Sequence, residues 1–175
     1  ELHEEVGTGG VQAVSVRGDP QLPASITVDS LGSWTDFVGD EYKAFSGTAV
    51  YTTTINKVPV ADVIKLNLGT VAENASVYLN GEYIGTVIDS PYQLYIPAEK
   101  FKGQDELVVR VANSMANRIA YMDKKGVDWK IFYNVNMSAR KKENVKNGIF
   151  DASDWEPKSS GLLGPVTLTP AMVKQ

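Results

Sequence analysis

Ala75-Ser76-Val77-Tyr78-Leu79-Asn80-Gly81-Glu82-Tyr83-Ile84-Gly85-Thr86-Val87-Ile88 is the stretch on which the fold turns. Ala75, Val77 and Leu79 alternate with Ser76, Tyr78 and Asn80, which places apolar and polar side chains on opposite faces of an extended chain. Asn80-Gly81 follows, and both residues tolerate the positive φ that a type I′ turn demands. The segment therefore reads as a β-hairpin whose return strand, Glu82 to Ile88, ends at Asp89-Ser90-Pro91.

The same grammar extends both ways. Upstream, Ile64, Leu66 and Leu68 alternate with Lys65 and Asn67, and β-branched and aromatic residues fill Gly47 to Ile55. A weaker strand, Val11 to Val16, opens the chain. Downstream, Tyr92, Leu94 and Ile96 alternate with Gln93 and Tyr95 until Pro97 stops the run. Leu107, Val109 and Val111 continue the alternation, and Leu163 to Thr169 supplies a final strand. Helix is scarce: Ala98 to Lys102 and Arg140 to Lys146 each suit one turn, and neither carries a long amphipathic stripe. The expectation is an all-β chain, an antiparallel two-sheet jelly-roll sandwich. Residues 1–30 are its lead-in and first strands, and residues 31–175 are the rest of the same domain.

Composition narrows the chemistry. The chain has 175 residues, 43% hydrophobic, enough for one core without disulfide or metal. It carries 17 basic and 21 acidic side chains, a net charge of −4, which argues against nucleic acid as a partner. No apolar run reaches the roughly 20 residues of a membrane span. There is no cysteine and one histidine, His3, in the charged start Glu1-Leu2-His3-Glu4-Glu5. Ser-His-Asp triads, Cys-His pairs and Cys/His zinc sites thus lack their raw material. Glu1 is not an initiator and no signal-peptide h-region follows it, as expected of a processed product or an excised domain.

One stretch departs from strand grammar. Asn113 to Gly161 is far longer than an ordinary connection and carries Tyr121, Trp129, Phe132, Tyr133, Phe150 and Trp155. That aromatic content disfavours disorder. An ordered excursion over one end or face of the sandwich is expected.

Taken in order, several of these segments resemble a known group of modules. Phe45-Ser46-Gly47-Thr48-Ala49-Val50-Tyr51 is followed by Leu66-Asn67-Leu68-Gly69, then by Ala75-Ser76-Val77-Tyr78-Leu79-Asn80-Gly81 and Gly85. Pro91-Tyr92, Leu107-Val108-Val109-Arg110-Val111, Asn113 and Asn117-Arg118 come next, and Ser159-Ser160-Gly161-Leu162-Leu163-Gly164-Pro165-Val166 closes the series. The series resembles the sugar-binding-type, galactose-binding-domain-like β-jelly-roll modules of glycoside hydrolase family 2. Asn117-Arg118 and Gly161 to Val166 are most similar to the C-terminal module of family 106, the α-L-rhamnosidase-like enzymes. The resemblance spans roughly Gly32 to Pro170. It implies an accessory module of a large bacterial polysaccharide-degrading enzyme of the periplasm or cell surface. It also implies that the catalytic carboxylates sit in a separate barrel, which takes about 250 residues and cannot be this chain. The catalytic domain of the same parent chain is the implied protein partner, and no catalytic residue is expected here.

Sugar recognition combines flat aromatic faces with planar polar groups that bond hydroxyls. The excursion offers Trp129, Tyr133, Trp155 and Asp128, and Asn117 with Arg118 adds an amide and a guanidinium fork. These six are the candidate carbohydrate-binding residues. The competing reading makes the aromatics anchors of the long loop and gives Asn117 and Arg118 a structural role. It requires Trp129, Tyr133 and Trp155 all to be buried. Trp34 is read as a core or sheet-edge residue. Asp36, Asp40 and Glu41, or Asp151, Asp154 and Glu156, have the oxygen chemistry to ligate a structural Ca²⁺, without an EF-hand pattern.

Overall fold

Strand alternation becomes two antiparallel sheets packed on a shared core in the computed structural model, which describes residues 26–131 and 141–171 with two earlier strand segments. In chain order the strands are β1 (Glu4–Glu5), β2 (Ala13–Arg17), β3 (Thr48–Ile55), β4 (Val63–Asn67), β5 (Thr70–Ala72), β6 (Asn74–Leu79) and β7 (Glu82–Val87). They continue as β8 (Gln93–Pro97), β9 (Asp105–Ala112), β10 (Val145–Lys146), β11 (Ile149–Phe150), β12 (Gly161–Gly164) and β13 (Thr167–Ala171). Two short helices are α1 (Asp40–Ala44) and α2 (Ala116–Lys124). One sheet runs β2-β3-β9-β6-β7 and the other β1-β13-β4-β8, with β5 pairing β12 and β10 pairing β11. The pairings between these strands are all antiparallel, the jelly-roll sandwich expected.

The hairpin forms where Asn80-Gly81 placed it. Asn80 has φ 51° and Gly81 φ 80°, and Leu79 pairs with Glu82 across the turn. The turn is also tied to the start of β9. Asn80 Nδ2 donates to Asp105 Oδ1 at 2.6 Å, and Asn80 Oδ1 accepts from the Glu106 N–H at 3.0 Å. Asp105 is only 1% exposed and accepts further from the backbone N–H groups of Lys102 and Gly103. Its acceptors are thereby satisfied, as a buried carboxylate requires.

The inward faces follow the alternation. Ala49, Tyr51 and Ile55 of β3, Ala75, Val77 and Leu79 of β6, and Leu107, Val109 and Val111 of β9 line one wall. Ile64 and Leu66 of β4, Ile96 of β8 and Leu168 of β13 line the other. Each such aliphatic side chain contributes about 1.5–3 kcal/mol on burial. Trp34 is a core residue, packed edge-on against Phe45 with centroids 5.3 Å apart. Gly161 has φ 114°, and a Cβ there would strike the Tyr51 hydroxyl and the Trp34 ring. That close approach lets the Leu162 N–H donate to Tyr51 Oη at 3.1 Å.

Three expectations are corrected. The strand read as Leu163 to Thr169 is two strands in different sheets, β12 on β5 and β13 on β4. Pro165 has no N–H for a continuous ladder, and the chain changes sheet there. The turn at 98–102 is a 3₁₀ turn of Ala98–Lys100, and the one at 140–146 shrinks to Lys142–Asn144 before β10. Two helices, α1 and α2, stand where no helix was expected.

Candidate functional site

The excursion leaves the sandwich through a buried polar knot. Asn113, just past β9, accepts the Gly47 N–H at 2.9 Å and donates to the Phe45 carbonyl at 2.9 Å and to Ser160 Oγ at 3.2 Å. Ser160 in turn donates its N–H to Ser33 Oγ at 2.9 Å, while its carbonyl accepts from the Trp34 N–H at 3.1 Å. Asn117, on the first turn of α2, completes the tie. Its Nδ2 donates to the Lys158 carbonyl and its Oδ1 accepts the Lys158 N–H, both at 2.8 Å. Three segments remote in sequence are clamped together by small polar side chains.

Beyond the knot lies a second, smaller core. Phe150 and Ala152 are buried, with Ile119 and Ala120 of α2, Trp129 and Trp155 packed against them. The side chain of Asp123, only 1% exposed, holds this unit together. Its Oδ1 accepts from Trp129 Nε1 at 2.7 Å and from Lys130 Nζ at 2.5 Å, and its Oδ2 accepts the Ala152 N–H at 2.8 Å. Trp155 Nε1 donates to Asn144 Oδ1 at 2.8 Å, and its ring meets Phe150 edge-on.

Between α1, α2 and residues 153–157 opens a cleft of about 480 Å³, within the size range of small-molecule sites. Tyr121 and Trp155 line it from separate segments. Lys125 lies 5.5 Å from the Tyr121 ring centroid and 3.6 Å from Asp40 on α1. Lys43, Lys124 and Glu156 add exposed charges of both signs to the lining. Two rings amid carboxylates and ammonium groups can stack a sugar ring and bond its hydroxyls.

The sequence candidates are distributed unevenly over this unit. Trp155 and Asn117 line the cleft, but both ends of the Asn117 amide are engaged by Lys158. Trp129 is half-buried in the second core, outside the cleft lining. Arg118 is half-buried, with its guanidinium 5.8 Å from the Tyr121 centroid, and Asp128 is exposed. Tyr133 lies outside the described residues. Neither tryptophan is fully buried, so the requirement of the purely structural reading is not met for these two. Tyr121, counted among the aromatics, gains its place only from α2; Asp123 looks in sequence like one more surface charge between Met122 and Lys124.

The carboxylate clusters take other roles. Asp151 accepts from the Ser153 hydroxyl at 2.5 Å, which with the Ser153 N–H and Lys146 holds its carboxyl below the usual range. Lys146 bridges Asp151 and Asp154 at 3.3 and 3.2 Å, and its ammonium is raised chiefly by Asp154. Among the described residues no three acidic, histidine or cysteine side chains converge on a point where a metal ion could sit.

No family model matches the chain. It is 32% identical over 193 residues to a protein named "Putative beta-glucuronidase" from Formosa agariphila, an alignment covering 92% of this chain and 17% of that protein. The structure of a rhamnosidase from Novosphingobium sp. PP1Y matches 96% of this chain at 27% identity with a TM-score of 0.73, and 15% of that chain is covered. The chain thus spans less than a fifth of the length of either protein.

Proposed function

This chain is a glycoside-hydrolase-related β-sandwich module, and we propose that it is a non-catalytic accessory module of a larger bacterial glycoside hydrolase, acting at the cell surface or in the periplasm. The observation that carries this reading is the asymmetry of the two matches: nearly all of this chain aligns with a small share of each longer protein. In this reading residues 1–30 and 31–175 form one domain, which contacts polysaccharide or packs on the catalytic domain of the same parent chain. The sugar contact is the cleft, with Trp155 and Tyr121 as stacking faces and the surrounding charged groups as hydroxyl partners.

A second reading, an interdomain module without a ligand site, draws support from the knot and the second core. Both indole N–H groups and both ends of the Asn117 amide are engaged inside the chain. Isothermal titration of this chain against a panel of plant and host oligosaccharides separates the two. Binding at millimolar concentration or tighter, weakened about tenfold or more by Trp155→Ala, is expected from loss of one stacking face. No binding across the panel would leave the interdomain role.

A further inference from the structure

The geometry points to a site for a carboxylate-bearing sugar on the outer face of the five-stranded sheet, with Arg110 as its anion fork and Tyr83 as its ring platform. This inference rests on the accessory reading but not on the cleft.

Register assembles the cluster. Arg110 of β9 lies opposite Ser76 of β6, Ser76 lies opposite Thr86 of β7, and Tyr78 lies opposite Tyr83. Ser76 and Tyr78 alternate with the buried Ala75, Val77 and Leu79, and Arg110 with the buried Val109 and Val111, so they face away from the core. Arg110, Thr86 and Tyr83 are exposed, Tyr83 to 55%.

The Arg110 guanidinium carbon sits 4.6 Å from the Tyr78 ring centroid, and the Tyr78 and Tyr83 rings are 5.5 Å apart at 59°. Stacking occupies a face of the guanidinium and fixes its plane, while the N–H donors at its edges keep their fork geometry. Among the described residues no carboxylate pairs with Arg110. Glu106, the acid on the same strand and face, is four residues away, about 13 Å along an extended chain. A planar carboxylate matches that fork bidentately.

The hydroxyls beside it form a short chain. Tyr83 Oη lies 2.9 Å from Thr86 Oγ1, which lies 2.7 Å from Ser76 Oγ. Three O–H groups linked by two mutual bonds leave one O–H donor and several lone pairs for a ligand. From Arg110 to Thr86 is two strand spacings, about 10 Å. A uronic acid residue can set its C–H face on Tyr83, its carboxylate on Arg110 and its hydroxyls on this chain.

Isothermal titration of the 175-residue chain with trigalacturonate, its methyl ester and neutral galactotriose tests the site. Trigalacturonate is expected to bind, with the ester and galactotriose at least about tenfold weaker, a loss in keeping with a charge-assisted pair. Arg110→Met and Tyr83→Ala should each weaken it by a similar factor. Arg110→Lys, which keeps charge but not the fork, should restore only part of the affinity. Thermal unfolding of each variant checks that the fold survives, and the ligand comparison on the unaltered chain is a test that no variant can spoil. Equal binding of acid and ester, or trigalacturonate binding undiminished by Arg110→Met, would overturn the site while leaving the accessory reading intact. Binding by other saccharides in the panel but not by trigalacturonate would overturn it in the same way. Failure of every saccharide to bind would remove the site and the sugar-contact half of that reading together.

Discussion

Tyr51 stands on the inner face of β3 with its hydroxyl accepting the Leu162 N–H. Burial pushes its phenol above the ordinary 10.0, and the Leu162 bond opposes that shift only in part. The unfolded chain gives up this proton first, so above pH 10 it binds fewer protons than the native state and stability falls as pH rises. Below pH 10 the contribution is fully present. Urea unfolding between pH 7 and about pH 11 is expected to show this decline, and Tyr51→Phe should lessen its slope. At pH 7 the same substitution strands the buried Leu162 N–H and should cost about 1–3 kcal/mol. A pH profile unchanged by Tyr51→Phe would show that the phenol does not ionise with unfolding.

At the scale of elements, α2 and the second core depend on one carboxylate. Asp123→Asn keeps the shape but replaces one acceptor oxygen by an NH₂ that meets the donors of Trp129, Lys130 or Ala152. The expected cost is about 1–3 kcal/mol, with faster hydrogen exchange at the Ala152 amide and little change at amides of β9. Uniform acceleration across both would show that the excursion and sandwich open as one. The strands were legible because a half-buried strand writes its two faces as a period of two, as at Ala75, Val77 and Leu79. The helix α2 was not, since Ala116-Asn117-Arg118-Ile119-Ala120-Tyr121-Met122-Asp123-Lys124 serves the knot, the second core and the cleft from different sides. It therefore never shows one apolar stripe. The cleft shared that fate: Trp155 could be suspected from its type, but Tyr121 and Asp40 meet it only through the packing of two unexpected helices.

For the whole molecule, the order β1-β13-β4-β8 makes the last strand of the chain an interior one. A chain ending at Pro165 loses the partner of β4 along five residues and uncovers Ile64 and Leu66. It is expected to show no cooperative thermal transition by near-ultraviolet circular dichroism, whereas removing residues 1–5 should shift the transition by only about 1–2 kcal/mol, the scale of a frayed edge. A cooperative transition in the chain ending at Pro165 would contradict this. The β1–β13 pairing has a mechanical consequence as well. Glu4 pairs with Leu168 and Glu5 with Thr167, so the first strand is entered and the last one left at the same end of the sheet. A pull on the two ends therefore loads their hydrogen bonds one after another, as in a zipper, not all at once in shear. Tension applied at those two ends would peel β1 away first, at low force, before it strains the β13–β4 ladder.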